Sequence, residues 1–352
     1  YTQMVTNAKD QRFINILQSS AVNNVTNRTT YYAEKRQGYD DNNGYGILGS
    51  GDFRAFYVPQ DANSSNWYAA AGNTTSTVTK QGDSATATGT MSGKAVGFSE
   101  TILNSTSYIT VTATDGTAYY YPNDATVTSF IGNRTSGSPI LGTIASTAGL
   151  YSGQPISGTG IPASTSILTV DSSTQVTMTA NATSGSGTAT TVTVTRLAKI
   201  LDSDYPTTAV GKIVFMDGYA FVMTSTGRIY NSDLNSITSW SATGFLTADV
   251  VPDNGVGLAK YKNVIVAFGD ASTEFYRNTG NPSGSPLSRI QEGTLKIGAQ
   301  NAYAIADVDD TVYWVGTSSQ SGFGVFRLNG LAAERVSTPV VEAWLKSAST
   351  FR

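Results

Sequence analysis

The sequence has no histidine and no cysteine in 352 residues. Those two absences together remove the Ser-His-Asp triad, the cysteine nucleophile, the structural zinc site, the iron–sulfur cluster and the disulfide scaffold. Charge is scarce as well. Asp, Glu, Lys and Arg make up 13% of residues, about half the share usual in globular domains. Formal net charge is −3 and the pI is near 5.0, so no basic footprint exists of the kind that grips phosphate backbones. No run approaches 18 consecutive apolar residues, and no membrane association is expected. The opening Tyr1-Thr2-Gln3-Met4 shows neither an initiator methionine nor a signal-peptide pattern, so the chain is expected to be trimmed or internal to its gene product. These exclusions point to an all-β, non-catalytic protein without cofactor or metal.

Thr, Ser, Asn and 35 glycines fill the space that charge leaves. Between Thr126 and Thr195 the only charged residues are Arg134 and Asp171. The runs Gln175-Val176-Thr177-Met178-Thr179-Ala180 and Thr190-Thr191-Val192-Thr193-Val194-Thr195 alternate apolar residues with Thr, the pattern of half-buried strands. Glycine clusters such as Ser184-Gly185-Ser186-Gly187 supply turns. Residues 126–196 therefore read as a small inserted, β-sandwich-like module.

Outside it a repeat is visible. Gly211–Met216, the turn Asp217-Gly218, Tyr219–Thr224 and Arg228–Tyr230 form one copy. The next runs from Val256 through the turn Lys262-Asn263 to Tyr276, and a third from Ala302 through Asp309-Asp310 to Leu328. Successive first turns lie about 45 residues apart, the length of a four-stranded propeller blade. An upstream copy, Tyr108–Ala113 and Thr117–Tyr121, is displaced by one blade plus roughly the length of the charge-poor module, which places that module between two consecutive blades. Four recognisable copies fall short of six or seven, leaving closure within this chain open.

The expected organisation is thus a β-propeller with an inserted module. Residues 1–60 form an extended N-terminal docking segment, 61–125 the first blade or blades, 126–196 the module, and 197–352 further blades with a short C-terminal helix. Thr338 and Pro339 suit the N-cap and first position of that helix, with Val341, Trp344 and Leu345 on its buried face.

Chemical motifs are few. Gly89-Thr90-Met91-Ser92-Gly93-Lys94-Ala95 has the wrong spacing for a phosphate loop and lacks the Ser/Thr after lysine. Acidic pairs at Asp40-Asp41, Asp202-Ser203-Asp204 and Asp307 to Asp310 could serve a glycosidase or hold calcium. Asp at a repeat's turn, however, is favoured for backbone reasons alone. Trp240 and Trp314 lie in or beside strands and are expected to pack blades, with carbohydrate stacking as the minority reading.

An ordered series of segments resembles a family, the packaged-DNA stabilisation or tail hub (nozzle) proteins of short-tailed, podovirus-type bacteriophages. The segments are Asp202–Pro206, Asp217–Tyr219, Tyr230–Leu234, Pro252–Leu258, Phe268-Gly269 with Thr273–Gly280, Gly330–Thr338, and Val341-Glu342. Asp10–Asn15 resembles the family's leading segment more loosely. The resemblance implies a structural virion protein of the tail and no enzyme. It implies a homo-oligomeric ring, typically hexameric, beneath the portal and adaptor ring and in contact with needle, spikes or fibres. Such a ring performs head closure, retains packaged DNA and becomes the channel for DNA ejection, with the passing DNA weakly bound. The rival reading is a carbohydrate-binding or receptor-binding propeller, a tail adhesin or glycosidase-like part. A bacterial surface adhesin is a third.

Overall fold

The computed structural model describes residues 16–23, 28–35, 53–58, 67–80, 88–123, 125–183, 185–248, 250–281, 283–308, 311–318 and 322–347. The chain divides into two compact units, 1–47 and 48–352. In the first unit, Ile16–Asn23 pairs antiparallel with Arg28–Lys35 over eight residue pairs. The acidic pair Asp40-Asp41 lies outside the described residues.

The second unit is a β-propeller of five antiparallel sheets laid down one after another. Blade 1 consists of Phe53–Tyr57, Tyr68–Ala71, Ser76–Lys80 and Gly89–Met91. Blade 2 is Ala95–Leu103, Thr106–Ala113, Ala118–Pro122 and Ala198–Lys199. Ala209–Met216, Tyr219–Thr224, Arg228–Ser232 and Trp240–Thr247 make blade 3. Blade 4 follows with Gly255–Tyr261, Val264–Gly269, Thr273–Asn278 and Leu287–Arg289. In blade 5 the inner edge is shared by Ile297–Ala299 and Ile305–Val308, separated by the 3₁₀ turn Ala302–Ala304, and Thr311–Ser318, Gly322–Asn329 and Ala332–Arg335 complete it.

Local chemistry explains the strand ends. Asp217 and Gly218 take φ of 53° and 81°, the left-handed pair that a two-residue hairpin turn with matching twist requires. Between blades the faces interlock through apolar side chains. Tyr68, Val78 and Met91 of blade 1 meet Phe98, Val111 and Tyr121 of blade 2. Tyr120 of blade 2 joins Ile213, Val222 and Trp240 of blade 3. Phe221 and Met223 pack on Leu258 and Tyr276 of blade 4, and Phe268 and Phe275 on Trp314 and Phe326 of blade 5. Five blades thus share four such cores, and among the described residues none joins blade 5 to blade 1.

Three sequence expectations change. The propeller begins earlier than residue 61, because Phe53–Tyr57 is the innermost strand of a blade whose other strands are short and carry no charge except Lys80. The inserted module does not separate two blades. It interrupts blade 2 between the third and fourth strands, since Ala198–Lys199, which follows it, pairs with Tyr119 and Tyr120, which precede it. On the C-terminal helix, Pro339–Ser347, Leu345 is buried as expected but Val341 is 42% exposed. The Glu342 carboxylate accepts hydrogen bonds from Arg335 Nε (2.8 Å) and Ser337 Oγ (2.7 Å), which turns the Glu342 side inward instead. The side chain of Trp344 lies outside what is described.

The module is one six-stranded antiparallel sheet spanning Ser129 to Val194. A bridge between Pro155 and Ser166 ties its two edge regions together, so the sheet curls over a core of Leu141, Ile156, Ile167, Val176 and Val192. Its buried Arg134 reaches the carbonyls of Thr183 (3.3 Å) and Gly185. Gly160 leaves room for that guanidinium, since a Cβ there would lie 2.4 Å from Arg134 Cζ.

Candidate functional site: the axial cavity

The innermost strands of all five blades surround one cavity of about 720 Å³. Its neck is built by backbone. Each of blades 1 to 4 starts its inner strand with a register shift, between Phe53 and Ala55, Ala95 and Gly97, Val210 and Val214, and Gly255 and Gly257. A β-bulge at that point bends the strand and re-aims its side chains. In blades 2 to 4 the bulge carries the same dipeptide: Val96-Gly97, Val210-Gly211, Val256-Gly257. Close approach explains the glycines. A Cβ on Gly211 would stand 2.8 Å from Gly257 Cα, and one on Gly97 3.2 Å from Lys212 Cβ. Thr112 Oγ1 donates to the Gly211 carbonyl at 2.6 Å, and the Ser99 hydroxyl to that of Ile213, locking blades 2 and 3 at the neck.

Several polar groups in the cavity are paired. Lys212 Nζ of blade 3 lies 2.5 Å from Asp307 Oδ2 of blade 5, so an ion pair reaches past blade 4 from one wall to another. Glu100 accepts from Tyr57 Oη (3.1 Å) and Ser107 Oγ (3.0 Å). Burial, reinforced by the adjacent Glu100 carboxylate, holds the Tyr57 phenol well above its ordinary range, so it stays a donor. Burial also raises the Tyr303 phenol, against a partial opposing effect of the Arg54 guanidinium. Residues of blade 1 and blade 5 thus line the same cavity. Such an arrangement is a static plug.

Of the acidic pairs singled out in the sequence, Asp202 is accounted for by backbone and Asp307 by an ion pair. Asp202 accepts from the amides of Asp204 and Trp240, both at 2.9 Å. Asp307 is engaged by Lys212, and Asp309-Asp310 lies outside the described residues. No group of three or more Asp or Glu residues converges to hold a metal ion among the described residues. Trp240 and Trp314 are interior: Trp240 stands edge-on to Tyr205 at 4.9 Å, and Trp314 stacks on Phe326 at 5.7 Å. Gly89–Ala95 forms the last strand of blade 1, a turn and the start of blade 2, with Ser92 Oγ bonded to Asp115 at 2.5 Å.

The segments that carry the family resemblance are structural as well. Asp253 Oδ2 accepts from the amides of Ala271 (3.0 Å) and Ser272 (2.8 Å), capping the turn of blade 4. Glu274 is 2% exposed, and it accepts from Tyr276 Oη (2.7 Å) and the amide of Val250 (3.1 Å), which ties blade 4 to the link from blade 3. The Val-Gly bulges were the signal that sequence reading passed over. They mark every inner strand from blade 2 to blade 4.

The described residues thus form five propeller blades around an axial cavity crossed by an ion pair, with buried carboxylates capping backbone amides. Residues 150–350, more than half the chain, match the family described as Bacteriophage P22 Gp10, beta-propeller, and the chain belongs to that family. It is therefore a phage structural protein. None of the curated proteins compared with the chain matches it. Among solved structures it is similar to the computationally designed Ika8 protein, at 11% identity and a TM-score of 0.35, over 90% of this chain and 82% of that one. It is also similar to BBS1N, solved in complex with ARL6DN, at 10% identity and a TM-score of 0.33, over 87% and 69% of the two chains.

Proposed function

We propose that the chain is a hub, or nozzle, of a phage tail: a homo-oligomeric ring of six copies beneath the adaptor ring that closes the filled head, retains the packaged DNA and forms the channel for its ejection. Family membership carries this reading. The axial cavity refines it. A cavity of about 720 Å³, crossed by the Lys212–Asp307 pair, has the capacity of a small-ligand pocket and no room for duplex DNA. The conduit therefore runs between copies, along the ring axis, and each propeller serves as a stiff wedge in the wall. The needle, spikes or fibres of the tail would attach to the same ring.

Imaging of the native tail tests the proposal. A closed ring of identical propellers around a central channel is expected; isolated peripheral copies would overturn it. The carbohydrate-binding alternative is disfavoured by the interior placement of Trp240 and Trp314, and no enzymatic role is proposed.

A further inference from the structure

The inner strands start at the bulged neck, so the turns that follow them stand at the other end of the axial cavity. Those first turns differ in charge. Blade 2 turns through Asn104-Ser105, blade 3 through Asp217-Gly218 and blade 4 through Lys262-Asn263. In blade 5 the sequence has Asp309-Asp310 between the paired Val308 and Thr311. Of these four turns only that of blade 4 is cationic.

Lys262 occupies its turn against local preference. It holds φ of +53°, the value that Asp217 has in blade 3. Asp and Asn tolerate this left-handed conformation and glycine adopts it freely, whereas a long side chain rarely does. Backbone held in a sparsely populated region is typical of functional positions.

Two more cations flank the turn. Lys260 precedes Tyr261, which pairs with Val264 across the hairpin, and Lys260 also lines the axial cavity. Ile265 pairs with Tyr276, so Arg277 lies one step nearer the turn on the third strand. Lys260, Lys262 and Arg277 are all exposed, and among the described residues none of them makes an ion pair. Charges in the adjoining blades are engaged. Lys212 meets Asp307, Arg327 meets Glu334 at 2.6 Å, and Asp217 accepts from Asn278 Nδ2 at 3.0 Å. Lys262 Nζ stands 5.2 Å from the Tyr261 ring centre, a contact that holds the ammonium at the tip without neutralising it.

We propose that this tip of blade 4 faces the conduit and that Lys260, Lys262 and Arg277 contact the phosphates of the passing duplex. The proposal rests on the hub reading above and says which part of each propeller lines the channel. Like charge disfavours approach of the acidic first turns to a phosphate backbone, which leaves blade 4 as the tip suited to it. The contact is also small enough to release its cargo. Each phosphate neutralised adds about 0.9 to the slope of log K against log salt, so three cations make a weak, salt-sensitive site.

Fluorescence anisotropy of a labelled duplex with the full-length chain, across a low-salt series, tests the assignment. Two triple variants remove the same charge. One is Lys260→Gln, Lys262→Asn and Arg277→Gln at the tip; the other is Lys94→Gln, Arg228→Gln and Lys346→Gln away from it. Asn suits the φ of the turn, so the tip variant is expected to keep the circular dichroism of the unsubstituted chain. Its binding is expected to weaken, with a salt slope shallower by about two to three, while the second variant keeps most of its slope. Equal losses in both variants, or no loss in the tip variant, would overturn the contact. The tail image judges the ring by itself, so failure of the contact and failure of the hub reading are distinguishable.

Discussion

At the scale of single residues, what matters is close approach. Gly211 combines φ of +72° with a neighbour, Gly257 Cα, 2.8 Å from where a Cβ would stand. Gly137 has a similar φ, +78°, in open space. Gly137→Ala should cost only the left-handed backbone term, about 1–2 kcal/mol. Gly211→Ala should cost clearly more, because backbone at the neck must also move; urea denaturation of the two variants measures the difference. Asp115 gives a pH prediction. Burial pushes its carboxyl up, but hydrogen bonds from Ser92 and from the Thr117 hydroxyl and amide outweigh it, leaving the pKa below its ordinary value. The folded state thus favours the charged form. Its contribution is present above about pH 4 and is lost as pH falls through the lower folded value. Asp115→Asn should therefore lower stability at neutral and alkaline pH and converge with the unsubstituted protein at the acid end, flattening that limb of the profile. None of this was readable from residue type alone. Asp202, Asp253 and Glu274 look like acids available for chemistry until the amides they cap are located.

Elements were legible where turn chemistry and alternation coincide. Asp217-Gly218 and Lys262-Asn263 announce hairpins, and the strands beside them fall where the pattern puts them. Blade 1 was placed only coarsely, within 61–125, because Tyr68–Ala71 is mostly alanine and Gly89–Met91 spans three residues, too short for a period. Short fourth strands were missed for the same reason, and the two-residue Ala198–Lys199 most consequentially, because it moves the module inside a blade. The module is also better anchored than charge-poor decoration would suggest. Tyr151 stands edge-on to Tyr108 at 6.4 Å, the Lys199 amide donates to Gly153 at 2.9 Å, and the Tyr120 hydroxyl reaches the Ser152 carbonyl. Replacing 129–194 with a short Gly/Ser bridge should leave a folded propeller that unfolds cooperatively with β-type circular dichroism, but at a lower midpoint because Tyr108 and Tyr120 lose their cover. Loss of cooperativity would show that the module belongs to the core.

For the whole molecule, two expectations follow from the distribution of charge and of apolar contact. The chain has 22 basic against 25 acidic residues, so duplex DNA should bind no tighter than ordinary non-specific complexes, with a Kd of about 10⁻⁴–10⁻⁶ M at physiological salt. Fluorescence anisotropy across a salt series checks this, and nanomolar binding with a steep salt slope would mean that the ring grips its cargo. Four apolar cores for five blades among the described residues also leave one weaker joint. Amides of Phe53–Tyr57 and Ile305–Val308 should exchange with solvent sooner than those of Ala209–Met216, as hydrogen-exchange mass spectrometry can read. The interruption of blade 2 has a kinetic side. About 75 residues separate Pro122 from Ala198, and with the module unfolded, closing that loop costs about 2 kcal/mol more than closing the handful of residues that remain once it has folded. The folded module brings its own ends together, with the Val194 amide on the Thr128 carbonyl at 2.8 Å. Folding of the module ahead of blade 2 thus lowers the cost of delivering that blade's last strand, so slowing the module should slow completion of the blade.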